Sequence, residues 1–196
     1  MRMQTMLQLV YPPQCISCGV LVDQDGALCG TCWRQTPFLT GARCKSCAVP
    51  LPGGLDAESL TGDEICDDCM KTPRPWASGH AAMLYDGTAR RLILSMKHGD
   101  RPELAKPAAK WMAAALPPLD PDTLVVPVPL HWFRFLRRRF NQAALLAKHL
   151  SQELDLEFLP DALVRTQATP SMGKKTADNR FAELSFVVER NCVVEG

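Results

Sequence analysis

Eight cysteines stand in four Cys-x-x-Cys pairs: Cys15/Cys18, Cys29/Cys32, Cys44/Cys47 and Cys66/Cys69. A Cys-x-x-Cys turn lets two thiolates reach one Zn²⁺ at about 2.3 Å, and two such turns complete a tetrahedral site. Ten residues separate the first two pairs and eighteen the last two. One such pair alone reads equally as a redox motif. Four within 55 residues, with no thioredoxin-like βαβ pattern around them, point to structural zinc. Pairing first with second and third with fourth gives two zinc ribbons; an interleaved arrangement, or one metal only, stays open. A zinc with four thiolates has no open coordination position, so catalysis at the metal is not expected. The metal instead replaces the hydrophobic core that a short Gly-, Pro- and Asp-rich segment cannot build. Cys192 has no partner in sequence and reads as a buried small apolar residue.

The second chemical stretch is Thr123–Gln142, TLVVPVPLHWFRFLRRRFNQ. Leu124, Val125, Val126 and Val128 form a short β-branched run that reads as a buried strand, stopped by Pro127 and Pro129. A loop with Arg134, Arg137, Arg138 and Arg139 follows. Asn141 then caps an amphipathic helix to Leu154 with Ala143, Leu146, Ala147, Leu150 and Leu154 facing inward. A strand, a cationic loop and a helix start, in that order, bring side-chain charge and free N–H groups to one point, which is how α/β proteins hold phosphate. The bland alternative is a solvated basic loop beside a core strand.

Composition frames both stretches. The chain has 196 residues, 46% apolar and 22% charged, with net charge +1. That is enough for a globular domain plus a small one. Bulk charge selects no partner, but its distribution does. Thr123–Gln152 contains no acidic residue beside its four arginines, whereas the cysteine-rich part carries more Asp and Glu than Lys and Arg. The acidity of that part weakens any direct grip on DNA. No signal peptide is visible and no window is apolar enough to span a bilayer, so a cytoplasmic protein with reduced cysteines is expected.

The elements between follow from periodicity. A short helix is expected over residues 1–11 and a Pro-containing connector over 71–78. A strand is expected over Gly79–Asp86, and a helix over Thr88–Met96 with Ala89, Leu92, Ile93 and Met96 on one face. The turn Lys97-His98-Gly99-Asp100 follows it. A second helix is expected over Glu103–Leu116, buried through Leu104, Ala108, Trp111, Met112 and Ala115, then strands over Leu163–Thr166 and Phe186–Glu189. Strands alternating with helices predict a parallel α/β sheet. The domain boundary is expected at 75/76.

Four Cys-x-x-Cys pairs, then Lys97 in a KHGD turn, then PVPLHWFRFLRRRFNQA, together resemble the ComF family. These are bacterial competence proteins with a double zinc ribbon and a type I phosphoribosyltransferase-like domain. The resemblance runs from Cys15 to about Val194. It implies a ribbon over 1–75 and the transferase-like domain over 76–196. It also implies binding of phosphoribosyl pyrophosphate (PRPP) with Mg²⁺ in the full-length form, or of another phosphate-bearing ligand. The pyrophosphate would lie on the His131–Phe140 loop, with Arg137, Arg138, Arg139, Asn141, Gln142 and Lys97 as binding residues and Lys174, Lys175 and Arg180 on a closing lid. Departures stand out: Arg139 occupies the position where the family favours Gly, and Met172 and Glu183 replace residues usual there. The family's PRPP loop, an apolar strand followed by two acids and a Thr/Gly-rich turn, has no match, since Asp67-Asp68 lies among the cysteines. The resemblance therefore leads us to expect a C-terminally truncated member with little turnover of its own. The alternative is a binding module for single-stranded DNA or for other competence proteins, using the arginines with Trp132, Phe133, Phe135 and Phe140 as stacking groups.

Overall fold

A computed structural model of the chain describes residues 11–52, 62–131, 140–166 and 188–190. It forms two compact units. One comprises Met1–Ile93 with Trp111–Pro118, and the other Leu94–Lys110 with Leu119–Gly196.

The first unit is built on an internal repeat. Cys15 N donates to Val20 O and Gly19 N to Cys15 O; Cys44 N donates to Val49 O and Ala48 N to Cys44 O in the same way. Antiparallel bridges Gln14↔Leu21 and Arg43↔Pro50 close the two turns at matching positions. Each turn then receives a short helix at its second cysteine pair, α1 (Gly30–Arg34) and α2 (Asp67–Lys71). The residue after each first pair is left-handed, Gly19 at φ +78° and Ala48 at φ +60°. Glycine carries no penalty there, whereas alanine costs about 1 kcal/mol.

Residues 76–84 lie across both ribbons as a strap. Trp76 Nε1 donates to Ser46 O at 2.7 Å and Arg43 Nη1 to Ala81 O at 3.4 Å. Gly79 N donates to Lys45 O, Leu39 N to Ala82 O and Leu84 N to Pro37 O. The strand expected over Gly79–Asp86 is thus only a single bridge, Phe38↔Met83. Its partners are the irregular edges of the ribbons, so the hydrogen bonds do not fall into ladder register. Phe38 stacks at 4.5 Å on Trp33 and meets Trp111 edge-on at 5.5 Å. This fits the reading of Trp111 as a packing residue rather than a ligand platform.

Helix α3 (Gly87–His98) buries Thr88, Ala89, Leu92 and Met96, close to the expected face. A 3₁₀ turn (Pro102–Leu104) leads into α4 (Ala105–Ala114). Pro107 is tolerated because its missing N–H falls in the first helical turn. The fully buried positions are Leu104, Ala105 and Ala109, so the stripe is rotated by about one residue from the expected one.

In the second unit β1 (Leu124–Val125) is shorter than its apolar run. Pro127 and Pro129 lack the N–H a longer ladder needs. Asn141 caps α5 (Gln142–Leu154), accepting from Ala143 N at 3.0 Å. Asp155 ends that helix in the left-handed region, and the chain turns into β2 (Glu157–Phe158), parallel to β1. This βαβ unit is the small parallel sheet. β2 was not foreseen. Instead of extending that sheet, β3 (Leu163–Arg165) pairs antiparallel with β4 (Val188–Arg190) as a separate sheet. The architecture is therefore mixed α/β after the ribbons. The helix expected at the N-terminus lies, but for Tyr11, outside the described residues.

Candidate metal centres and the basic loop

The cysteines gather as two fours, Cys15/Cys18/Cys29/Cys32 and Cys44/Cys47/Cys66/Cys69, with all sulfurs of each set within 4.8 Å of one another. The sequential pairing holds and the interleaved one does not. Cys18 Sγ and Cys29 Sγ are 3.7 Å apart, as are Cys47 Sγ and Cys66 Sγ. A tetrahedron with Zn–S of about 2.3 Å has an edge of about 3.8 Å. A disulfide would need about 2.05 Å.

The surrounding groups favour anionic sulfur. Cys29 N donates to Cys15 Sγ at 3.2 Å, and Cys66 N to Cys44 Sγ at 3.4 Å, one more match between the repeats. Burial pushes the Cys15 thiol up, but the backbone N–H groups of Cys29, Cys18 and Ser17 together outweigh it and bring it down from 9.0 to about 6. In the second ribbon burial of Cys44 is outweighed in the same way by the N–H groups of Cys66, Cys47 and Ser46, again to about 6. The opposite holds for Cys32, which burial and the neighbouring sulfurs push up to about 12. Burial and the Cys44, Cys69 and Cys66 sulfurs likewise push Cys47 up to about 12. Without a cation, each site resists four thiolates at once. A divalent soft-acid cation removes that resistance, so the donor set fits zinc. The Ser17 hydroxyl is buried with no hydrogen-bond partner among the described residues, and a fully anionic Cys32 sulfur would satisfy it.

Arg74 was not anticipated as part of a site. A hydrogen bond to the Cys69 sulfur, with the attraction of Cys47 and Cys66, raises its pKa further, so a fixed cation stands beside the second centre. Its place in a Pro-flanked connector, KTPRPW, carries no periodic signal that would have singled it out.

The phosphate-site candidates divide. Asn141 is the N-cap of α5, and Gln142 is buried at its first position. His131, ahead of the basic loop, is also buried. Lys97 is exposed in the last turn of α3. Arg137, Arg138 and Arg139 lie outside the described residues, as do Lys174, Lys175, Arg180 and Cys192. Among the described residues no helix is long and apolar enough to cross a membrane.

The geometry of the eight cysteines defines the class, a double zinc ribbon protein with two Cys₄ metal sites, and residues 6–77 match the double zinc ribbon domain family. Beyond the ribbons as well, the chain is similar over more than nine tenths of its length to proteins of the YhgH and Competence protein F group. It is 26% identical to DNA utilization protein YhgH of Escherichia coli K12, over 96% of this chain and 82% of that protein. It is 28% identical to the YhgH of Escherichia coli O157:H7 over the same shares. To Competence protein F of Haemophilus influenzae it is 26% identical, over 91% of this chain and 78% of that one. No solved structure matches the chain.

Proposed function

We propose that the chain serves DNA utilisation in the cytoplasm as a phosphoribosyltransferase-like protein. In the full-length form its transferase-like domain, to which residues 76–196 belong, binds PRPP with Mg²⁺, and its ribbon, residues 1–75, is a structural scaffold. The observation that carries this reading is the β1–α5–β2 unit. Its helix starts at the Asn141 cap directly after the arginine stretch, so the free N–H groups of the first turn and the positive end of the helix dipole follow four cationic side chains in sequence. Arg137, Arg138, Arg139, Asn141, Gln142 and Lys97 would neutralise the pyrophosphate as it leaves an oxocarbenium-like C1. Lys174, Lys175 and Arg180 would close over it. The similarity to a DNA utilization protein and to a competence protein supports the biological setting.

The test is calorimetric titration of the zinc-loaded full-length form with PRPP and Mg²⁺, repeated with Arg139→Ala. Saturable binding that weakens at least about tenfold in the variant supports the reading, one charge-assisted contact contributing about 1.5–3 kcal/mol. Equal affinity in the two proteins refutes the loop assignment. A second reading has its own basis in the four aromatics among the arginines: direct binding of single-stranded DNA. Its signature is affinity that falls steeply with salt, with no response to PRPP.

A further inference from the structure

The two ribbons share one unequal distribution of their sulfurs. In each, two cysteines are sealed, Cys15 and Cys32 at 3% and 4% exposure, Cys44 and Cys69 at 1% and 4%. The other two reach solvent: Cys18 and Cys47 are exposed, Cys29 and Cys66 half-buried. The accessible two come from different Cys-x-x-Cys turns, yet they stand 3.7 Å apart in both ribbons. Oxidant reaches accessible thiolates first. The nearest accessible partner for a sulfur oxidised at Cys18 is therefore Cys29, across the site, and not Cys15 within its own turn.

The ribbons differ in how freely that pair can close. Next to Cys18 is Gly19, left-handed, with open space on its Cβ side. Next to Cys47 is the buried Ala48, and the preceding Ser46 carbonyl is held by Trp76 Nε1 at 2.7 Å. The strap lies so close that a Cβ on Gly79 would be 3.3 Å from Cys47 Cα. Shortening 3.7 Å to a disulfide of about 2.05 Å needs the turn to move. The first ribbon has that freedom and the second is braced.

We propose that Cys18 and Cys29 form a thiol-oxidation site at which peroxide opens the first ribbon, while the strapped Cys47/Cys66 pair reacts later. The Cys18 thiolate attacks one peroxide oxygen; the O–O bond breaks, the sulfur becomes a sulfenic acid, and the departing hydroxide takes a proton to become water. The Cys29 thiolate then attacks Cys18 Sγ; the S–S bond forms, the S–O bond breaks, and the second hydroxide is protonated to water. Two sulfurs have lost two electrons and one hydrogen peroxide has become two waters. Two ligands remain at that site, too few to retain zinc.

The experiment treats the zinc-loaded full chain with hydrogen peroxide. Released zinc is followed with a chromophoric chelator, and disulfides are mapped by differential alkylation and peptide mass spectrometry at short times. The expected result is a Cys18–Cys29 disulfide as the first product, with one zinc released per disulfide and Cys47–Cys66 appearing later. A first product within one turn, Cys15–Cys18 or Cys29–Cys32, overturns the proposal. So does a Cys47–Cys66 disulfide that forms as early, or oxidation of Cys18 without loss of zinc. No variant is needed, so a misfolded ribbon cannot imitate either result.

Discussion

Gly79→Ala tests whether the strap braces the second ribbon. A Cβ at Gly79 would lie 2.5 Å from Ser46 O, 3.1 Å from Ser46 C and 3.3 Å from Cys47 Cα. All three are backbone atoms, so no side chain can swing away. Gly79 has no left-handed φ, and the penalty is therefore steric and not conformational. Relief requires the strap to move by several tenths of an ångström or more. That strains Gly79 N→Lys45 O at 2.8 Å and Trp76 Nε1→Ser46 O at 2.7 Å. Overpacking of this kind costs about 1–3 kcal/mol and each weakened hydrogen bond about 1 kcal/mol more. Stiffening of the unfolded chain returns about 0.4–1 kcal/mol. The net expectation is a loss of about 2–4.5 kcal/mol. Guanidinium unfolding at fixed free zinc measures it, and a competing chelator reports the affinity of each zinc. The second zinc should weaken and the first should not. A variant within about 0.5 kcal/mol of the parent, with both zincs held as before, would refute the reasoning, since that is the range of an innocuous surface change.

Other substitutions probe separate parts of the argument. Gly19→Ala meets nothing within 4 Å but must hold φ +78°, so it should cost about 1 kcal/mol with zinc retained, read by the same unfolding assay. Asn141→Ala removes the acceptor for Ala143 N and should lower stability by about 1 kcal/mol, while Asn141→Asp should preserve it; thermal unfolding distinguishes them. Cys44→Ala should halve the zinc content by elemental analysis and leave the first ribbon loaded, because the two sulfur sets share no ligand. The Lys45–Asp63 pair, 2.6 Å long but exposed on both sides, should matter little: Asp63→Asn is expected to shift stability by less than about 0.5 kcal/mol.

Much of the site was legible because its chemistry is local. Cys-x-x-Cys spacing limits two sulfurs to one ion whatever surrounds them, so the eight ligands could be read off the sequence. Asn141 was legible for the same reason: an N-cap acts on an N–H two residues away. The strand expected over Gly79–Asp86 failed where its hydrogen bonds are nonlocal. Its apolar residues look strand-like, but ribbon edges that are not strands receive its N–H groups. The missed β2 is two residues long, and its strand partner among the described residues is β1, thirty-three positions earlier. No short window contains that pairing.

Local residue chemistry specified the ligand set, the class of metal and the capped helix after the arginines. Each depends on residues a few positions apart. Packing between distant segments settles which cysteine turns share a metal, which sulfurs face solvent, that Arg74 stands against Cys69, and that Gly79 leaves no room for a Cβ. Those properties depend on distances between segments far apart in the chain, and such distances are set when the ribbons and the strap pack together.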